Sequence, residues 1–492
     1  MGTLKNQASS GVRWTTLSTV IVTVLQFIQM AALGRLLQPT AFGLMAMVTV
    51  VVGFAQVFGD MGISDALIQK KESTHEQFSS LYWLNIAFGI TVFLIVWVLT
   101  PLIAHAFGAP ELNELLPVVA LSFPIYACAS QFQTMMQKSL RFRLLALSQI
   151  TAILFSVVVS IVGACFGLGV WSLVWGTVGG TIVRSAMYIR CGLQEFPAPK
   201  WHFSWSDVSG YLSFGIYRVG ATSVNFFNSR IDQMLIGVLM GPKILGYYTI
   251  AVSLVLQPIQ KLNPVLTQVA FPVFSRVQDD IARLKRGYLQ MINFLMLVNA
   301  PILLGIAVVA PVGVPFLLGD KWYGAIALVQ ILALYAMIRS IGNASGSLIL
   351  ARGHANWTFY SNLALLLVIP PVVYLASLSK EVTYIAWSLV LLQFFLLFSN
   401  YWFFIRNILG SCFIPYIKAV GIPILLASAM SLVILAIEPL VHTLPAVVHL
   451  GFQILVGVVS YSLLVWVFQR EFIQNIINLL PKKYLRFSII KR

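Results

Sequence analysis

Charged side chains are scarce in this chain. Asp, Glu, Lys and Arg make up 9% of the 492 residues, whereas about 25% is usual in soluble domains. Acidic residues are the scarcer kind, with 15 Asp and Glu against 31 Lys and Arg, and 59% of the residues are hydrophobic. This composition excludes a soluble globular protein and predicts one that crosses a membrane many times.

Catalytic and metal-binding patterns are absent as well. The four cysteines, Cys128, Cys165, Cys191 and Cys412, follow no CxxC or metal-ligand spacing, so we expect packing residues or free thiols. The histidines and carboxylates form no recognisable triad or metal site. We therefore predict no catalytic residues, no metal site and no cofactor, apart from a coupling Na⁺ or H⁺.

Long apolar runs fill the chain instead. Each is about 20 residues or longer, the length that an α-helix needs to cross about 30 Å of hydrocarbon. The alternating ten-residue pattern of an outer-membrane barrel is missing, so we predict an all-α polytopic membrane protein. Fourteen spans are predicted, at residues 14–33, 43–66, 80–104, 115–136, 145–167, 170–190, 211–236, 245–272, 289–316, 323–350, 358–378, 383–405, 415–437 and 447–468.

The positive charges predict the orientation of these spans. If both termini are cytoplasmic, 23 of the 31 Lys and Arg lie on the cytoplasmic side, four lie in the opposite loops and four lie in spans. This asymmetry follows the positive-inside rule, so the net charge of +16 does not indicate binding to nucleic acid. The basic residues after 469 predict an amphipathic tail on anionic membrane lipids.

An internal duplication is visible in the turn after the first span. Gly34, Pro39 and Gly43 recur 203 positions later as Gly237, Pro242 and Gly246. Phe107-Gly108 matches Leu318-Gly319 at an offset of 211, and Trp171-Ser172-Leu173 matches Trp387-Ser388-Leu389 at an offset of 216. A slowly growing offset is what loop insertions produce in a duplicated unit.

Six spans are an even number, so both copies enter the membrane from the same side, as parallel repeats do. The predicted division is a first six-helix lobe at 1–190, a cytoplasmic linker at 191–210, a second lobe at 211–406, two additional helices at 407–468 and a basic tail at 469–492. A transporter of this plan holds its substrate between the lobes.

Several charged residues lie inside predicted spans, where each costs about 2.5 to 3.5 kcal/mol on insertion scales. At 1.5 Å per residue, Arg218, Lys261, Arg339 and Asp60 all fall in the inner half of the membrane. We predict that the three cations bind a pyrophosphate in a cavity open to the cytoplasm. The alternative is that the long basic side chains extend to the nearest membrane surface.

Two carboxylates are candidates for ion coupling, namely Asp60 and Asp232. Asp232 lies near the outer end of its span beside Arg230, where a local ion pair explains it equally well.

Side-chain amides recur on several spans. Gln26 and Gln29 are three residues apart on one helix face, and Asn225 and Asn228 repeat this spacing. Gln56 and Gln257 lie on neighbouring spans. Amides both donate and accept hydrogen bonds, which suits sugar hydroxyls, so these six residues are the predicted glycan-binding set. The alternative role is helix-to-helix hydrogen bonding.

Five segments resemble a known family. They are DMGISDALIQKKE (60–72), MMQKSLRFR (135–143), QKLNPVLTQVAFPVFSRVQDD (260–280), FLLGDKW (316–322) and RSIGNASGSLILARG (339–353). Together they resemble the polysaccharide-transport branch of the multidrug/oligosaccharidyl-lipid/polysaccharide flippase superfamily. Within that branch the sequence is most similar to lipopolysaccharide biosynthesis proteins of the colanic acid exporter type.

The resemblance implies a flippase of the bacterial inner membrane with fourteen helices. Such proteins move an undecaprenyl-pyrophosphate-linked oligosaccharide repeat unit from the cytoplasmic to the periplasmic leaflet by alternating access. A polysaccharide polymerase and other assembly proteins are the implied partners, together with membrane lipids.

Two other functions stay open at this point. A cation-coupled multidrug antiporter of the same superfamily is disfavoured by the predicted cationic cavity, which would repel cationic drugs. An intramembrane glycan polymerase or ligase is disfavoured by the short outer loops, which offer no room for catalytic groups.

Overall fold

The computed structural model describes residues 2–59, 67 and 74–470, with side chains left out at 2–9, 210–218, 221, 265–273, 343 and 355. Throughout these residues the regular structure is helical, without a strand. The α-helices are α1 Gly2–Leu36, α2 Pro39–Gly59, α3 His75–Phe107, α4 Leu112–Ala120, α5 Ser122–Lys138, α6 Phe142–Cys165, α7 Val170–Glu195, α8 Trp205–Arg276, α9 Ile281–Leu318, α10 Tyr323–Ala351, α11 Ala355–Ser377, α12 Val382–Asn400, α13 Arg406–Leu409, α14 Phe413–Val441 and α15 Ala446–Phe468.

The prediction of an all-α polytopic membrane protein is confirmed. Twelve helices of the described residues are long and apolar enough to cross a membrane. Two features account for the difference from the fourteen predicted spans. The apolar stretch Thr222–Pro264 covers two of them, and α8 has a non-helical residue there, Gly241, with φ 79°. The sixth predicted span forms α7 but is not among the twelve.

Local signals in the sequence set the helix ends. Thr74 caps α3, because its hydroxyl accepts from the Gln77 amide at 3.2 Å while the Gln77 side chain accepts from the Thr74 amide at 3.4 Å. At the other end of α3, Gly108 adopts the left-handed conformation with φ 60° and donates back into the last turn.

The chain divides into two compact units. Unit 1 contains Met1–Ile250, Leu317–Gly324 and Phe359–Ser388, and unit 2 contains the remainder. Unit 1 therefore holds all of the predicted first lobe together with parts of the predicted second lobe. The division into lobes itself remains a prediction.

Within unit 1, the duplicated turns contact each other in a reciprocal way. A Cβ on Gly43 would collide with the carbonyl oxygen of Pro242, and a Cβ on Gly246 would collide with the carbonyl oxygen of Pro39. Gly43 and Gly246 are 203 positions apart, and so are Pro39 and Pro242. The same contact is therefore made twice with the partners exchanged, which supports the predicted duplication.

A second pair of contacts follows the same rule. A Cβ on Gly34 would lie 2.5 Å from Leu318 Cδ2, and a Cβ on Gly237 would lie 3.0 Å from Phe107 Cε1. The sequence pairs Gly34 with Gly237 and Phe107 with Leu318. We call these four contacts the reciprocal glycine contacts. At Gly43 and Gly246 the neighbouring atoms belong to the main chain, so only a residue without a side chain allows this approach, whereas Leu318 and Phe107 contact Gly34 and Gly237 with side-chain atoms.

Trp322 fills the space beside the reciprocal glycine contacts. It is fully buried, and its indole Nε1 donates to the Gly34 carbonyl at 2.8 Å. The rings of Phe42 and Tyr247 pack edge-on against it, at 5.2 and 5.9 Å between centroids. Next to it, the Lys321 ammonium donates to the Arg35 carbonyl at 2.8 Å. The FLLGDKW segment thus satisfies main-chain carbonyls that follow the first span.

Unit 2 is held together by polar side chains that bond within the helical bundle. Asn299 donates to Asn263 at 2.9 Å, and the Tyr288 hydroxyl lies 2.9 Å from the Ser345 hydroxyl, all four residues being buried. The two additional helices α14 and α15 belong to this unit, where Tyr461 donates to the Leu297 carbonyl at 2.8 Å.

The reciprocal glycine contacts predict a strong effect of one added methyl group. We expect Gly43→Ala to lower the melting temperature and the folded yield of the purified protein, because the new Cβ meets a main-chain carbonyl that has little freedom to move. Overpacking of this kind costs about 1 to 3 kcal/mol. Gly421→Ala is the matched control, since a Cβ there meets nothing within 4 Å. Equal melting temperatures for the two variants would contradict the prediction.

Candidate functional site

A polar cavity of about 500 Å³ lies within unit 1. It is bordered by five helices, and most of its lining side chains carry a hydroxyl, an amide or a guanidinium group. The lining residues are Thr15, Ser18, Gln56, Tyr126, Gln133, Gln137, Phe142, Leu145, Gln149, Arg184 and Tyr188. No carboxylate is among these described residues. We call this space the amide cavity.

A tight turn between α5 and α6 brings two of the amides together. Leu140 adopts the left-handed conformation, with φ 58°, and the amides of Leu140 and Arg141 donate back to the last turn of α5 at 3.0 and 2.9 Å. Gln137 at the end of α5 and Gln149 on α6 then line the same cavity. This turn is the MMQKSLRFR segment of the sequence. A non-glycine residue in this conformation costs about 1 to 2 kcal/mol, which the surrounding packing must supply.

Arg184 supplies the cavity's positive charge. Its guanidinium carbon lies 5.6 Å from the centroid of the Tyr126 ring, a cation–π contact. Its Nε is buried and has no hydrogen-bond partner among the described residues. Because this atom is out of reach of solvent, the donors of Arg184 that can meet a ligand or water are its two Nη atoms, which are not among the buried unsatisfied atoms.

The amides of the cavity retain most of their hydrogen-bonding capacity. Tyr126 donates to Gln133 Oε1 at 2.9 Å, which leaves the Gln133 NH₂ group available. Gln56, Gln137 and Gln149 have no side-chain hydrogen bond to any described part of the chain. The cavity therefore presents several groups that both donate and accept.

A smaller cavity of about 200 Å³ shares four of these lining residues, Gln56, Tyr126, Gln133 and Gln137. On its wall, buried Asn85 donates to the Ser130 hydroxyl at 2.7 Å. The two spaces together form a polar path along one face of α5.

The amide cavity and the reciprocal glycine contacts lie at opposite ends of unit 1. Along α1, Ser18 lines the cavity and Gly34 makes one of the contacts. These two residues are about 24 Å apart at 1.5 Å per residue. Along α2, Gly43 makes another of the contacts and Gln56 lines the cavity, and these two residues are about 20 Å apart. Thus one end of the unit is tightly packed and the other contains a polar cavity.

The three predicted pyrophosphate ligands have different surroundings. The side chain of Arg218 lies outside the described residues, although its backbone is part of α8. Lys261 is exposed, and Arg339 is partly buried, with its Nη1 donating to the Tyr335 hydroxyl at 2.9 Å. Their joint role remains a prediction.

Of the six predicted glycan ligands, Gln56 lines the amide cavity. Gln29 donates to Ser160 at 3.1 Å and Asn228 donates to the Asn362 carbonyl at 2.7 Å, so both make the helix-to-helix bonds that were the alternative role. Asn225 is exposed, while Gln26 and Gln257 are partly buried.

The candidate coupling carboxylates are Asp60 and Asp232. Asp60 lies outside the described residues. Asp232 accepts from the Tyr248 hydroxyl at 2.6 Å, and its neighbour Arg230 donates to Gln233 at 2.9 Å. Within the described parts of the chain, no group of three or more His, Cys, Asp or Glu residues could hold a metal ion.

Sequence reasoning missed Arg184 as a site residue, since it was counted with the cytoplasmic charges at the inner end of the sixth span. It also passed over Tyr126, Gln137 and Gln149. A signal for part of this set exists in the sequence. Tyr126, Gln133 and Gln137 are spaced by seven and four residues, so they form a polar stripe on one face of α5.

Comparison with known proteins identifies relatives over nearly the whole chain. Residues 32–327 match the family model described as polysaccharide biosynthesis protein. The lipopolysaccharide biosynthesis protein WzxC of Escherichia coli strain K12 is 29% identical over 424 residues, which cover 86% of each chain. The teichuronic acid biosynthesis protein TuaB of Bacillus subtilis strain 168 is 29% identical over 475 residues, covering 94% of this chain and 96% of TuaB.

The fold also has a solved counterpart. The lipid II flippase MurJ in its inward closed conformation superposes with a TM-score of 0.75, covering 93% of this chain and 99% of MurJ at 13% identity. At this identity the similarity concerns the fold.

The amide cavity predicts selective chemical labelling. In a background without the four native cysteines, we expect Gln149→Cys to react quickly with a charged maleimide, because water reaches this position. Val157→Cys, buried on the same helix, should react at least about tenfold more slowly. The measurement is the labelling rate in detergent by mass spectrometry, and a rate at Gln149→Cys as slow as that at Val157→Cys would show that the cavity is closed to water.

Proposed function

The chain belongs to the polysaccharide biosynthesis protein family, and from this we propose that it is a flippase for a lipid-linked oligosaccharide. It moves an undecaprenyl-pyrophosphate-linked repeat unit from the cytoplasmic to the periplasmic leaflet of the bacterial inner membrane. The product supplies synthesis of an exopolysaccharide, capsule or O-antigen. Family membership over residues 32–327 is the observation that carries the proposal.

The names of the relatives agree with this cargo. They place the Escherichia coli relative in lipopolysaccharide biosynthesis and the Bacillus subtilis relative in teichuronic acid biosynthesis. Both are pathways that build glycans. The similarity in fold to a lipid II flippase adds that this helical arrangement accommodates the transfer of a lipid-linked sugar.

The site chemistry also favours a glycan. Transfer of sugar hydroxyls from water into a membrane protein is costly unless hydrogen bonds replace those to water. The amide cavity offers such bonds from Gln56, Gln133, Gln137 and Gln149. A multidrug antiporter for cationic compounds fits less well, because the described lining of the cavity contains Arg184 and no carboxylate.

Alternating access is the mechanism we propose. In unit 1, tight glycine contacts close one end while a polar cavity lies at the other. With both termini cytoplasmic, the closed end faces the periplasm and the cavity faces the compartment in which the repeat unit is made. Arg218, Lys261 and Arg339 then bind the pyrophosphate, and a Na⁺ or H⁺ gradient drives the cycle through Asp60 or Asp232.

No covalent bond is made or broken in this mechanism, so the protein is a transporter and not an enzyme. A polysaccharide polymerase consumes the repeat unit on the periplasmic side. Membrane lipids surround the apolar helices, and we expect them to contact the basic tail predicted at 469–492, of which residues 471–492 lie outside the described part of the chain.

Deletion of the gene tests the proposal directly. We expect cells without the protein to accumulate an undecaprenyl-pyrophosphate oligosaccharide on the cytoplasmic side and to lose the surface polymer. Mass analysis of extracted lipids measures both the amount and the composition of the accumulated glycan. Re-expression of the intact chain should restore export. Normal turnover of every lipid-linked glycan in the deletion strain would refute the flippase function.

The pyrophosphate ligands have their own test. We expect Arg218→Gln, Lys261→Gln and Arg339→Gln to reduce polymer export, with at least about a tenfold loss when all three are combined, because each removes a charge-assisted contact. Lys380→Gln, in a predicted outer loop, is the control. Protein levels in the membrane must match the wild type. Full export by the triple variant would rule out a role for these cations.

A further inference from the structure

We propose that the amide cavity is a subsite for an acidic sugar, whose carboxylate pairs with Arg184 while its hydroxyls bind the surrounding amides. This inference rests on the proposed function, and it names the part of the cargo that enters unit 1.

The balance of charge within the cavity is the first argument. Among the described residues that line the cavity, Arg184 is the only Lys, Arg, Asp or Glu. Arg184 is partly buried, so its guanidinium group has lost some of its contact with bulk water. An anion or several bound water molecules are needed to compensate for this loss of solvation. The other described polar groups of the lining are neutral hydroxyls and amides, so the described lining carries one positive charge.

The orientation of Arg184 is the second argument. The Tyr126 ring lies against its guanidinium group, and the Tyr126 hydroxyl is bonded to Gln133. This arrangement limits the rotation of the guanidinium group, while its Nε stays buried and unbonded within the described chain. An arginine fork of this kind is suited to a planar carboxylate, which accepts two parallel hydrogen bonds.

The neutral lining is the third argument, and it distinguishes a sugar from a bare phosphate. Gln56, Gln137 and Gln149 have no side-chain partners among the described residues, and Gln133 has a free NH₂ group. The pyrophosphate of the cargo is esterified at both ends, so it has acceptor oxygens and no hydroxyl to donate, and it would leave the amide oxygens unsatisfied. A pyranose both donates and accepts, as these amides do.

The size of the space agrees with a sugar. Pockets for small ligands span about 300 to 1,000 Å³. The amide cavity has about 500 Å³ and adjoins a further 200 Å³ through shared lining residues. One sugar residue therefore fits beside Arg184 with room for a linked neighbour along α5.

Binding to the purified full chain tests the subsite. The probes are methyl glucuronoside, methyl glucoside and inorganic pyrophosphate, measured by ligand-detected nuclear magnetic resonance. We expect the glucuronoside to bind at least about tenfold more tightly than the glucoside, with Arg184→Gln abolishing this preference. Arg184→Lys should retain part of it, because the charge remains.

Arg190→Gln is the matched control, since it removes an exposed arginine from the same helix. It should bind the glucuronoside like the wild type. Elution as a single species on size exclusion and an unchanged melting temperature establish that Arg184→Gln is folded. An Arg184→Gln protein that keeps the preference for glucuronoside would overturn the proposal. The proposal would also be overturned if Arg184→Gln lost pyrophosphate binding but still bound the glucuronoside like the wild type.

This outcome is separable from that of the flippase proposal. The binding assay needs no transport, whereas the deletion strain reports export alone. Accumulated lipid-linked glycan together with unaltered glucuronoside binding by Arg184→Gln would leave the flippase function standing and remove the subsite. If Arg184→Gln selectively loses glucuronoside binding while the deletion strain turns over its lipid-linked glycans normally, the subsite is supported and the flippase function is refuted.

Discussion

The close approach of main chains at the reciprocal glycine contacts is the constraint on which unit 1 depends. Gly43 admits the Pro242 carbonyl and Gly246 admits the Pro39 carbonyl, so a turn of each copy seats against a turn of the other. A side chain at either glycine would force the helices that follow these turns apart. Trp322 then fills the adjacent space, and its indole donates to the Gly34 carbonyl. Without this bond the carbonyl would be buried away from water with no hydrogen-bond partner.

The two ends of unit 1 have opposite physical character for this reason. The glycine contacts exclude water and hold main chains together, whereas the amide cavity contains side chains whose polar groups need a partner. In the alternating-access mechanism we propose, opening of the closed end requires the glycine contacts to separate. These contacts use small residues and few hydrogen bonds, so they can break and re-form without leaving many buried groups unsatisfied.

Much of the fold was predictable because a membrane leaves few options. Apolar runs of about 20 residues must be helical, since the hydrocarbon provides no partner for an unbonded backbone group. The offset of 203 between Gly43 and Gly246 also predicted a duplicated turn, although it did not predict that the two copies contact each other. Val170–Glu195 is a helix that falls outside the spans because its own composition is less apolar, and the structure adds that its Arg184 lines a cavity.

The sequence alone determined the helical class, the family and the repeated glycine and proline turn, because hydrophobic length and local backbone geometry are encoded in neighbouring residues. The tertiary structure decided which amides are engaged. Gln29 and Asn228 bond to other helices, while Gln56 and Gln149 face a cavity, although all four are amides in or beside apolar spans. The physical reason is that a side chain's partner depends on helix rotation and packing, which bring together residues as distant as Thr15, Gln137 and Arg184.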